Sequence, residues 1–76
     1  TDMIKKAKLL DAALSRYRAQ RDEALAVLEV YLNSPVGIGE HSNLLDEITK
    51  WTQVLTESED NIKTITRHFL KGKNNG

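Results

Sequence analysis

From Met3 the apolar residues of this chain recur in alternating steps of four and three: Met3, Ala7, Leu10, Leu14 and Tyr17, then Ala24, Leu28 and Tyr31, with Arg21 as the one polar interruption. The same spacing resumes at Leu44 and runs through Ile48, Trp51, Leu55, Ile62, Ile65 and Phe69, broken only at Ser58. A repeat averaging about 3.5 residues belongs to helices packed at shallow angles, because it keeps one narrow stripe facing a partner over many turns. The pattern predicts two long helices, over about 3–33 and about 43–70.

Local chemistry places the breaks in the same positions. Pro35, after Asn33 and Ser34, lacks an amide proton and biases its predecessor away from helical angles, which ends the first helix. Ser42 or Asn43 is suited to cap the second helix with a side-chain oxygen, and Asp46 and Glu47 set negative charge near its positive end. Residues 34–42 then form a turn, and the polar 71–76 stretch "KGKNNG" is expected to be disordered.

So short a connection favours an antiparallel neighbour, and the expected fold is an all-α, coiled-coil-like two-helix hairpin over a single domain, 1–76. Folding the stripes together pairs positions whose numbers sum to about 76: Leu28 with Ile48, Ala24 with Trp51, Tyr17 with Ser58, Leu14 with Ile62, Leu10 with Ile65 and Ala7 with Phe69. Large residues meet small ones in several layers, as an interdigitated core requires. Two helices bury only one stripe each, so an isolated hairpin is marginal in water. Further apolar residues flank the stripe (Leu9, Ala12, Ala13, Ala19, Ala26, Val27 and Val30, then Leu45, Val54 and Leu70), which predicts a homo-oligomer built as a four-helix bundle or larger, or docking on another protein's helices.

Composition narrows the classes. The chain has no cysteine, so disulfides and thiolate metal sites are excluded, and no apolar run reaches the roughly 18 residues of a membrane span. These features fit an intracellular, cytoplasmic protein without a membrane partner. Eleven cations balance eleven acids, so bulk charge gives no general pull toward nucleic acid.

The distribution of charge is uneven. Residues 1–10 and 63–76 share the open end of the hairpin and hold seven cations against Asp2 alone, whereas the turn end carries Glu29, Glu40, Asp46 and Glu47 against Lys50. In the middle, Arg16, Arg18 and Arg21 are expected to face Glu57, Glu59 and Asp60. Lys5, Lys6 and Lys8 sit at a helix start, where the dipole favours anions. With Arg67 and Lys71 they form either a solvated face or a site for an anionic ligand such as nucleic acid, a signalling nucleotide or an acidic protein surface.

Candidate chemistry in the turn "PVGIGEH" fails on context. A phosphate-binding loop requires Gly-Lys-Ser/Thr, a dinucleotide fingerprint requires a preceding strand, and a metal site requires ligands near Glu40 and His41, while His68 lies at the far end. The turn reads instead as glycines for the bend with Val36 and Ile38 capping the core, and with Glu40 and His41 as an alternative recognition tip. No serine has a histidine and carboxylate placed to activate it, so the expectation is no enzyme, no metal and no cofactor. Arg21 and Ser58 leave two options: Arg21 pairs with a carboxylate such as Glu57, or the two form a polar layer that sets register or oligomer number.

At "VYL" (30–32), "PVGIGEH" (35–41) and "RHFLK" (67–71) the chain resembles a group of short helical-hairpin proteins of tailed bacteriophages. That resemblance covers the chain from about Arg21 onward and implies a phage-encoded accessory protein acting in the cytoplasm of an infected host on a host or phage protein; it implies no activity, ligand or cofactor. The expected function is protein–protein interaction through an oligomeric hairpin. The alternative is anion binding at the basic end.

Overall fold

The computed structural model describes residues 2–33 and 41–70, with residues 2–4, 41 and 42 described by their backbone only. Helix α1 spans Asp2–Asn33 and helix α2 spans His41–Ile65, continued by a five-residue π-helical segment over Thr66–Leu70. All of the described residues are helical. No glycine or proline interrupts either helix, and α1 is dominated by Ala, Leu, Arg, Lys and Glu, the residues that lose least on entering a helix.

Helix α2 is richer in hydroxyl side chains, which compete for backbone groups. Here they bond back onto their own helix: Thr49 Oγ1 donates to the Asp46 carbonyl at 3.0 Å, Thr52 Oγ1 to the Ile48 carbonyl at 2.7 Å and Ser58 Oγ to the Val54 carbonyl at 2.8 Å. Among the described residues no buried side-chain donor or acceptor is left unpaired.

The two helices pack against each other in a body of 54 × 24 × 16 Å. A 32-residue helix spans about 48 Å at a rise of 1.5 Å per residue, so α1 runs most of the length, and the other two dimensions are those of two helices abreast. Tyr31, near the end of α1, meets Glu47 near the start of α2, whereas Arg21 shares a groove with Glu59, Ile62 and Lys63. Later residues of α1 lie against earlier residues of α2, and the pair is antiparallel.

The covered positions on α1 include Leu10, Leu14, Tyr17, Arg21, Ala24, Leu28 and Tyr31, and those on α2 include Leu44, Ile48, Trp51, Leu55, Ser58, Ile62 and Ile65. Full burial is confined to three of them: Leu14 at 3% exposure, Ala24 at 0% and Ser58 at 1%. Two of the three are small, and at such positions the helix backbones approach most closely. The remaining seam residues are half-buried, because a single neighbour covers only one side of each.

Several expectations change. Ala7 and Phe69 do not form a core layer: Ala7 is exposed and Phe69 is 65% exposed. A π turn winds through a smaller angle per residue than an α turn, so the segment from Thr66 carries Phe69 away from the stripe, while adjacent Ile65 and Thr66 are both half-buried. Helix α2 begins at His41, which puts Ser42 and Asn43 within its first turn and not at its cap. The capping of the core by Val36 and Ile38, the rest of residues 34–40, the Met3 side chain and the 71–76 tail lie outside the described residues.

Candidate functional site

Of the basic residues expected to form an anion site, Lys5, Lys6 and Lys8 are exposed on the first turns of α1, with Lys5 and Lys8, three apart, on one face and Lys6 about 100° further round. Arg67 is exposed on the π segment, and Lys71 lies outside the described residues. His68, also exposed, has its ring tilted against that of Phe69 with centroids 6.2 Å apart. Glu40 and the side chain of His41 lie outside the described residues, leaving the His41 backbone as the first residue of α2. Among the described residues no group of three or more His, Cys, Asp or Glu side chains is placed to hold a metal ion.

At the turn end the structure shows a polar clasp that links the helices. The Tyr31 hydroxyl donates to Glu47 Oε1 at 3.3 Å, and the Trp51 indole N–H donates to the same oxygen at 3.2 Å. Lys50 Nζ lies over the Trp51 ring, 5.1 Å from its centroid. Glu47 and Trp51 are four apart on α2 and share a face, while Tyr31 reaches across from α1. Tyr31 and Trp51 therefore take part in the seam with their rings and in the clasp with their polar edges, as amphipathic aromatics do. The signal in the sequence is the Glu47–Trp51 spacing beside the seam, whereas by position alone Glu47 reads only as a charge near the helix start.

The clasp has a pH dependence with a definite sign. Desolvation of the Tyr31 phenol, then the Glu47 charge, then the hydrogen bond to it raise the phenol pKa above its ordinary value of 10.0. The neutral phenol is favoured in the folded state, so this contribution to stability is complete below about pH 10 and is lost as pH rises through the folded pKa. The urea midpoint is expected to fall above pH 10, and Tyr31→Phe is expected to flatten that part of the profile; a variant profile that falls as steeply as wild type would show the titration lies elsewhere.

In the middle of the hairpin the expected interhelical charge pairs are replaced by local contacts. The only ion pair among the described residues is Arg21 Nε to Asp22 Oδ1 at 3.1 Å, within α1, and not Arg21 with Glu57. Arg16, Arg18, Glu57, Glu59 and Asp60 are all exposed. Holding two long exposed side chains across a helix gap costs conformational freedom that a surface pair worth about 0–1 kcal/mol does not recover. Within the hairpin the Ser58 hydroxyl donates to the Val54 carbonyl of its own helix at 2.8 Å. Ser58 acts as a small residue at a close approach.

The flanks of the seam differ from each other. With seam positions lettered a and d, the g positions Ala13, Val27, Glu47 and Val54 are half-buried and the polar g positions Lys6, Gln20, Asn61 and His68 are exposed, whereas of the e positions only Thr66 is half-buried and Leu25, Leu32 and Leu45 are 44%, 64% and 62% exposed. Reversing one helix of a pair brings like-lettered flanks to the same side, so the apolar g positions are partly covered while the e side leaves its leucines open. A shallow groove lies on each side, one of about 230 Å³ on the e side lined by Arg21, Glu59, Ile62 and Lys63, and one of about 380 Å³ on the g side lined by Tyr31, Asn43, Leu44 and Glu47. Leu9 at 70% and Val30 at 63% exposure lie farther round α1. Such a surface provides apolar area and a line of charges, the requirements of docking; it provides no enclosed cavity with converging reactive groups. No helix among the described residues is long and apolar enough to cross a membrane. Compared with protein-family models, curated proteins and solved structures, the chain matches none.

Proposed function

We propose that this protein is a non-enzymatic interaction module whose hairpins self-associate into a four-helix or larger assembly, and that the assembly is what meets a host or phage protein. The observation that carries the reading is the incomplete core: Leu14 and Ala24 are the only buried hydrophobic residues among those described, while seam residues such as Ile48, Trp51 and Ile62 remain half-buried and Leu25, Leu32 and Leu45 stand exposed beside them. A two-helix unit with so little enclosed apolar area is marginal, and covering the open flank removes several leucines from water, each contributing about 1.5–3 kcal/mol when fully buried. The resemblance of "PVGIGEH" and its surroundings to phage hairpin proteins supports an accessory role in that setting.

Association couples stability to concentration. The thermal midpoint is expected to rise over a dilution series from on the order of 2 to 200 µM, with sedimentation equilibrium giving a mass of two chains or more at the upper end. A single-chain mass throughout, with a constant midpoint, would overturn the proposal.

A further inference from the structure

We infer that the partner on the open flank is a second copy of this chain, aligned with both turns at the same end, so that α1 of each hairpin packs against α2 of the other. The inference rests on the self-association proposed above and specifies its geometry. On α1 the e positions read Asp11, Arg18, Leu25 and Leu32; on α2 they read Leu45, Thr52, Glu59 and Thr66. Antiparallel packing of one set against the other, in a register close to the one the seam spacing predicts for the hairpin, joins positions whose numbers sum to 77, which sets Leu32 on Leu45, Leu25 on Thr52 and Arg18 on Glu59.

Each of these contacts answers a property of the isolated hairpin. Leu32 and Leu45 are 64% and 62% exposed, and the pairing covers both. Arg18 and Glu59 are exposed, and neither has an ion-pair partner among the described residues. A two-fold axis along the bundle repeats each contact, giving two leucine pairs and two opposite-charge pairs. The half-buried seam residues of both copies then face the common centre.

The end-for-end alternative fits less well. It opposes α1 to α1, and the register that keeps the two seams level sets Asp11 on Leu32 and Arg18 on Leu25, two charges against two leucines. The same-end arrangement brings the basic ends together, but Lys5, Lys6, Lys8 and Lys63 are exposed there and repulsion between exposed charges is screened within about 8 Å at physiological salt. The leucine and charge contacts are local, partly desolvated and repeated.

Charge reversal tests the geometry. Arg18→Glu alone, and Glu59→Arg alone, are each expected to raise the dimer dissociation constant at least tenfold in sedimentation equilibrium, because each places like charges at two contacts. Mixing the two variants in equal amounts is expected to restore association to within about threefold of wild type, since every intermolecular 18–59 contact in the mixed dimer is then opposite in sign. Any pairing within one hairpin stays like-charged in the mixture, so rescue identifies a contact between chains. The same mixture followed by helical circular dichroism reads rescue even where a single variant unfolds on dissociating. Leu9→Glu with Val30→Glu, on the other side of α1, is expected to leave association unchanged.

A wild-type chain that stays monomeric overturns self-association and this geometry together. A wild-type oligomer that is unaffected by Arg18→Glu, or whose single variants fail to rescue each other, overturns the geometry alone. Loss of assembly in the Leu9/Val30 variant with none in Arg18→Glu assigns the interface to the other face.

Discussion

Leu14→Ala is expected to lower the unfolding free energy by about 3 kcal/mol, within the 2–5 kcal/mol typical of a buried leucine truncated to alanine. Leu14 is the only large hydrophobic residue among those described that is buried, at 3% exposure, so the deletion removes its apolar contacts and leaves a void that straight helices close only partly. In a hairpin of this size such a loss is a large share of the total. Urea unfolding at fixed protein concentration measures it, with the matched variant Leu25→Ala as control. Leu25 is 44% exposed and its truncation should cost clearly less. Equal costs at the two sites would show that the pairing of α1 with α2 is not centred on Leu14.

Ala24→Leu is the opposite perturbation and is expected to destabilise by about 1–3 kcal/mol through overpacking. Ala24 has no exposed surface, and the added methylene groups have no room unless the helices separate. Separation would strain the clasp one heptad further along, where Tyr31 holds Glu47 at 3.3 Å. The variant should therefore lower the urea midpoint and also weaken the alkaline dependence carried by Tyr31. A stabilised variant would mean that the backbones are not closely apposed at Ala24. The same substitution at Ala19, which is exposed, should change stability by no more than about 0.5 kcal/mol.

The heptad spacing made most of the seam legible, because a stripe that repeats every 3.5 residues stays in contact only if the helices lie nearly parallel. It failed at Phe69, where the π segment changes the winding and the residue turns outward. Charge was legible as a distribution but not as contacts. Arg21 was expected to reach across to α2, yet an exposed guanidinium pairs most cheaply with the nearest carboxylate, and Asp22 is adjacent.

The candidate surface was partly legible. Excess apolar residues beside the stripe predict surface that one partner helix leaves uncovered, and Leu9, Val30 and Leu45 are exposed, Leu45 alone of the three on the e flank. The grouping into a partly covered and an open flank was not readable, since Val27 and Leu25 are equally apolar in sequence and differ only in which side of α1 is turned toward α2. Leu25 and Leu32 appeared in neither the seam nor its expected flanks.

By itself, then, the sequence determined two helices, the stripe on each and a core too thin to be the whole of the hydrophobic surface, since these follow from periodicity and from the count of apolar residues along it. The tertiary structure alone decided the roll of each helix about its axis, and with it the burial of Ala24 and Ser58, the sharing of one Glu47 oxygen between Tyr31 and Trp51, and the exposure of the e flank. Periodicity specifies which residues share a face to within a fraction of a turn; only packing, which responds to every methyl group at the closest approach, resolves that fraction.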